Sequence, residues 1–284
     1  MSLLNAVTNV ANEAGYEVDD EAYASDDVTT IQLVAMAQRI MQEMADRYCW
    51  PKLWKNTSIT LVASTATYAL PGDFSQYHFD TWWNTSDGFK VYGPTSAQEY
   101  AEITGSGVDA YPYDRFTIRG VTDSQILISP TPDASTASQV IAYQYQSARP
   151  VRPQTWVTGT TFAAGSYCFY NGNYYSTTAG GVAGATAPTH TTGSASDGTV
   201  TWAYYSGTYL KFLADTDEPV LSQRILEQGM LERFAVLKGL NVTPMFDRQL
   251  DEEFSKSVTA RTLYAGLTPS SYVHAFNESV RFKS

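Results

Sequence analysis

Three histidines (His78, His190 and His274), two cysteines (Cys49 and Cys168) and one close acidic pair (Asp215 and Asp217) are the side chains whose types could hold a metal or carry catalysis. The histidines stand in three separate regions with no Cys, Asp or Glu at ligand spacing, so the pattern assigns no metal site and no cofactor. Cys49, at the end of an expected helix, and Cys168 read as two small buried hydrophobes rather than a disulfide framework. The chain has no Gly-Xaa-Ser-Xaa-Gly elbow, no phosphate-binding glycine loop and no His-Glu-Xaa-Xaa-His. Asp215 and Asp217, in Ala214-Asp-Thr-Asp-Glu-Pro219, could be drawn as a cation site or an acid–base pair. Acidic residues just ahead of a helix that starts at Pro219 have a simpler use, stabilising its positive end by about 0.3–1 kcal/mol each. The sequence therefore assigns no catalytic residue and predicts no enzyme.

Aromatic side chains offer the other chemistry. Residues 153–210 hold eleven aromatics and nine of the nineteen glycines, with Asp197 as the only formally charged side chain. Trp and Tyr faces stack on sugar rings or on protein partners. In a module with so few aliphatics, Trp156, Phe162, Tyr167, Tyr174 and Trp202 are the expected core. Tyr170, Tyr175 and Tyr204, read as alternating with Tyr174 and Trp202, are the ones expected to face outward as glycan or protein contacts.

These residues must be positioned by a fold of the α+β class: a helical core from the N- and C-terminal segments, an antiparallel β region between them, and a small all-β inserted module. Helices are expected over residues 2–14, 27–49, 218–240 and 244–264. Ser2 and Asp27 precede stretches of helical periodicity, Pro51 stops the second, and Thr243-Pro244 opens the last. The β region, 57–146, alternates and is punctuated by Gly, Pro, Asp and Ser, with Thr57–Val62 and Thr67–Leu70 read as neighbouring strands joined by a polar turn. Within 153–210, Asn171-Gly-Asn173 between tyrosine-rich runs predicts a hairpin. The domain reading is a host body of 1–152 and 211–284, an insert of 153–210, and an arm of 265–284 that orders on a partner or not at all.

Charged residues are 17% of the 284, below the roughly 25% usual in soluble domains. The net charge of −11 argues against gripping duplex DNA, since that affinity comes largely from Lys and Arg on phosphates. No run approaches the ~18 apolar residues of a membrane span, and the N-terminus lacks a secretory pattern, so the chain is expected to be made and to stay soluble in a cytoplasm unless another system exports it.

The host part resembles the head-to-tail adaptor (head completion or connector) proteins of tailed bacteriophages. The resemblance runs through Arg47-Tyr-Cys-Trp-Pro-Lys-Leu53, Ile59-Thr-Leu61, Thr67-Tyr-Ala-Leu-Pro-Gly-Asp-Phe74, Arg115-Phe-Thr-Ile-Arg-Gly120 with Ile126-Leu-Ile-Ser-Pro130, and Asp215-Thr-Asp-Glu-Pro-Val220. It implies a dodecameric ring under the portal protein, through which double-stranded DNA passes without specific binding and onto which tail or nozzle proteins dock. The terminal segment would engage the portal, with Tyr272, Phe276 and Phe282 as its candidate contacts. Residues 153–210 are similar to small carbohydrate-binding modules of the chitin-binding type, through Trp156, Ala164-Gly-Ser-Tyr167, Tyr170-Asn-Gly-Asn-Tyr174, Ala187-Pro-Thr-His190 and Asp197-Gly-Thr-Val-Thr-Trp202. The expectation is a structural virion protein of the neck. The alternative is a tail- or neck-associated glycan binder that aids adsorption.

Overall fold

The computed structural model describes residues 2–78, 80–105, 114–120, 125–207 and 211–265. The chain divides into two compact units, one of residues 1–53 with 149–284 and one of residues 54–148. It is a mixed fold of helices and small antiparallel sheets.

In the first unit, α1 (Leu3–Ala14) is capped by the Ser2 side chain, which accepts from the Asn5 N–H, and ends at Gly15 in the left-handed region, φ 76°. Helix α2 (Val28–Arg47) starts at Asp27, whose carboxylate accepts from the Thr30 N–H at 2.7 Å, and gives way to a short 3-10 turn at Pro51–Leu53. The expected stop at Pro51 lies a few residues beyond the true helix end, because Tyr48 already adopts extended backbone.

The second unit packs two sheets around one apolar cluster. Strands β1 (Trp54–Thr60), β2 (Thr67–Ala69), β3 (Phe74–Tyr77), β4 (Trp83–Asn84) and β5 (Phe89–Lys90) precede helix α3 (Ala97–Gly105). After it come β6 (Arg115–Arg119), β7 (Gln125–Ser129) and β8 (Val140–Ser147). One sheet runs β1-β8-β4-β5 with β3 also on β8, and the other runs β2-β7-β6. Thus β1 and β2 are not a hairpin. The chain leaves the first sheet after Leu61, and Tyr68 fastens the crossover by taking the Val62 N–H on its hydroxyl and donating to the Thr65 carbonyl. Trp82 lies between Phe116 and Tyr143, stacked at 3.7 and 4.0 Å, with Ile59, Ile126, Ile128 and Ile141 around it. Helix α3 interrupts the β region expected over 57–146. Its signal was present: Ser96 accepts from the Glu99 N–H at 3.1 Å, the serine half of a capping box.

The rest of the first unit begins with β9 (Val151–Arg152), followed by β10 (Thr161–Phe162), β11 (Tyr167–Tyr170), β12 (Asn173–Ser176), β13 (Gly181–Val182), β14 (Ser194–Asp197), β15 (Val200–Tyr204) and β16 (Glu218–Pro219). Helices α4 (Gln223–Lys238) and α5 (Phe246–Ala265) close it. Asn9 donates to Glu227 and Tyr16 meets the Phe234 ring edge-on at 5.1 Å, so α1 runs parallel to α4. Helix α2 is antiparallel to both: its first turn meets the segment after α1 at Asp19–Thr30, while Ile40 lies against Gly229 in mid-α4. The apolar faces of the four helices, from Leu3 and Val7 through Leu33 and Met44 to Ile225, Phe234 and Leu250, share one core.

Candidate functional site

Residues 153–210 are entered and left side by side. Strand β9 pairs with β16 as Val151 with Pro219 and Arg152 with Glu218, and the Arg152 guanidinium donates to the Glu218 carboxylate at 2.7 and 3.0 Å. Inside, the sheet β11-β12-β15-β14 turns between β11 and β12 at Asn171 (φ 46°) and Gly172 (φ 85°), the positive-φ pair that a two-residue hairpin demands. Registers place Cys168 beside Tyr175 and Tyr175 beside Tyr204. That face carries Phe162, Val200 and Trp202, all enclosed, and burial pushes the Cys168 thiol up to about 12, with Asp197 adding to the rise. Asp197 is itself buried and accepts from the Trp156 indole N–H at 2.8 Å and the Thr186 N–H at 3.2 Å, which ties the loop between β13 and β14 down onto the sheet.

The opposite face carries Tyr167, Phe169, Tyr174 and Tyr205, and these pack against the helical core of the same unit. The Arg149 guanidinium covers the Tyr174 ring at 4.5 Å and donates to the Gly207 carbonyl. Both faces of the sheet are therefore occupied across β11 and β12, while Ser194, Ala195, Ser196 and Thr201 on the β14 side stay exposed.

This corrects the expected outward platform. Tyr175 is fully buried: it packs among Cys168, Tyr204 and His190, and its hydroxyl donates to the His190 carbonyl. Tyr204 stands two residues from Trp202 and so shares its face, and with Tyr170 it is half-buried against the same cluster. Tyr170 meets Trp156 edge-on at 5.4 Å. Tyr174, expected in the core of the module, is buried instead against the helices. Along β12 the side chains do alternate, but both of its faces are covered rather than one covered and one wet.

The acidic pair also has another use. Helix α4 begins after Ser222, not at Pro219, so neither carboxylate sits on its dipole. Asp215 accepts from the Ala22 and Tyr23 N–H groups, at 3.1 and 2.6 Å, and Asp217 from those of Leu213 and Ala214. Their carbonyls take the Leu4 and Leu3 N–H groups that open α1. A segment distant in sequence thereby supplies main-chain acceptors to the first turn of the protein. Helix α5 starts at Phe246, where Glu232 of α4, rather than Thr243, accepts the Met245 and Phe246 N–H groups.

Other titratable groups are structural in the same sense. Asp73 is buried and accepts from Lys55, the Tyr145 hydroxyl and the Ser147 hydroxyl, each at 2.7 Å. Burial alone would raise its pKa, yet Lys55 and the two hydroxyls overcome that and hold it down at about 2. His78 lies against Trp54 at 4.1 Å, and Tyr272, His274, Phe276 and Phe282 lie outside the described residues. A small pocket of about 210 Å³ between α1 and Val18–Asp20 is lined by Leu4, Asn5, Thr8, Asn9, Val18, Asp19 and Asp20. Among the described residues no group of three His, Cys, Asp or Glu could hold a metal ion, and no helix is long and apolar enough to cross a membrane.

The helical unit also exposes a group of apolar side chains. At the shared end of α2 and α4, Val28 (66%), Ile31 (49%), Val236 (81%), Leu237 (54%) and Leu240 (43%) are open to solvent. The two helix ends are close enough for the Lys238 charge to favour ionised Asp27, beside the larger contribution of the Thr30 N–H. Exposed apolar groups gathered at one end of a domain mark a contact surface more often than scattered ones do.

The sequence profile of the SU10 adaptor protein family matches residues 1–168, more than half of the chain. No curated protein matches it.

Proposed function

The chain belongs to the SU10 adaptor protein family, a family of phage structural proteins, and from that premise we propose that it is a subunit of the ring joining the portal to the tail. The observation that carries the proposal is the family match itself, which runs through both compact units and into the insert. In this reading the chain is a non-catalytic virion component. Its apolar helix ends and its terminal segment contact the portal, and tail proteins dock beneath. The net charge of −11 suits a wall that DNA slides past, because it offers few cations to clamp phosphates. Residues 153–210 act as an extension of the subunit rather than as a glycan binder, since Tyr175 is enclosed and Tyr170 and Tyr204 lean on the same cluster.

Electron microscopy of the source particles, labelled with an antibody fragment against residues 153–210, tests this. Label at the head-to-tail junction is expected. Label along the tail or its fibres, or on no particle, overturns the assignment.

A further inference from the structure

Strand β1 is the open edge of its sheet. Among the described residues it pairs with β8 alone, residue by residue from Trp54–Gln146 to Thr60–Val140, without a bulge. The far side of β8 shows which way β1 turns its main chain. Gln144 gives its carbonyl to the His78 N–H and its own N–H to Thr81, and Val140 gives its carbonyl to Thr85 and its N–H to Ser86. These residues face away from β1, as does Ala142 between them, which lies beside Trp83 of β4. Their partners Asn56, Ser58 and Thr60 must therefore turn their own N–H and C=O groups outward. All three side chains are exposed, and no hydrogen bond joins these residues to any other on that side among the described residues. Beyond them the next outward N–H, that of Val62, is taken by Tyr68.

Natural edges of this length are blunted by a lysine, a proline or a bulge. Strand β1 has no proline and no bulge, and its one charged residue, Lys55, is drawn onto Asp73. The residues around Ser58 also suit pairing with themselves. In an antiparallel, two-fold register centred on Ser58, Asn56 meets Thr60 and Thr57 meets Ile59. Lys55 meets Leu61, so no two like charges oppose each other. Small hydroxyl and β-branched pairs of this kind stabilise adjacent strands.

We propose that β1 pairs with β1 of a second copy, Ser58 to Ser58 across a two-fold axis, to make one continuous sheet in the free protein. This goes beyond the adaptor reading and does not depend on it. The pairing covers an edge that would otherwise template aggregation, and assembly into a virion would have to accommodate or open it.

Analytical ultracentrifugation of the full chain over a dilution series is the test. The wild type is expected to form a dimer that dissociates on dilution. Ser58→Lys and Ser58→Glu each place like charges face to face and weaken the dimer about tenfold or more, while an equimolar mixture of the two restores it. Ser58→Pro, which removes an outward N–H and no bond to β8, weakens it as well and serves if a charged variant fails to fold. A wild-type chain monomeric at every concentration overturns the proposal, as does an assembly of any size that Ser58→Lys leaves unchanged, or charge variants whose mixture does not reassociate.

Discussion

Replacing Asp73 by Asn isolates one buried network and gives its magnitude. In the folded protein the carboxylate is held at about 2 instead of 3.8, against the opposing effect of its own burial. At about 1.4 kcal/mol per pH unit, that depression is worth about 2 kcal/mol at neutral pH. The sign follows from the direction: a depressed carboxylate stabilises the fold wherever it is ionised in both states, above about pH 4, and loses that contribution as pH falls from there toward 2. Near pH 3, about half should remain. Asn keeps the shape and can still accept from one hydroxyl, but it leaves Lys55 without its anion. Urea denaturation of wild type and Asp73→Asn should therefore differ by about 2–3 kcal/mol at pH 7. The gap should shrink by about 1 kcal/mol at pH 3. A difference below about 0.5 kcal/mol at pH 7, or a gap that stays constant on acidification, would refute the argument that ionised Asp73 organises β3 and β8.

Other outcomes follow from the packing. Tyr175→Ala removes a fully buried ring and should destabilise the 153–210 sheet by about 3–5 kcal/mol, measured as faster amide exchange in β11, β12 and β15. Asp215→Ala strips the acceptor from Ala22 and Tyr23, so their exchange should accelerate, with a loss of about 1–2 kcal/mol in thermal or urea unfolding. Gly229→Val places a Cβ 2.8 Å from the Phe246 ring and 3.0 Å from Ile40, which must push α4 off α5 and lower the melting temperature. Val236→Glu with Leu237→Glu should leave the fold intact and abolish binding to purified portal. Unchanged binding would remove the helix ends from the proposed interface.

The helices were legible because their signals are local. Ser2, Asp27 and Gly15 cap in place, and the apolar stripes of α1, α2 and α4 face one core. The hairpin at Asn171-Gly172 was legible for the same reason, since positive φ at two successive positions admits few residue pairs. What sequence could not supply was the identity of the partner. Thr57–Val62 and Thr67–Leu70 are strands, but strand period does not say that one pairs with β8 and the other with β7. Asp215 looks like a helix cap because a proline follows it, and only the fold brings Ala22 and Tyr23 within reach of its carboxylate.

The tyrosines of 153–210 sharpen this distinction. Period two sorts side chains onto two faces with certainty, and Tyr174 and Tyr175 do lie on opposite faces. Which face is wet is not a property of the strand. It depends on whether something else in the chain has an apolar surface to match, and here the helical core offers one to Phe169 and Tyr174 while the loops around His190 and Asp197 close the other side. A small module that stood free would have to leave one face of its sheet to water. One that shares its second face with the helical unit uses its aromatics as mortar between the sheet and the helices.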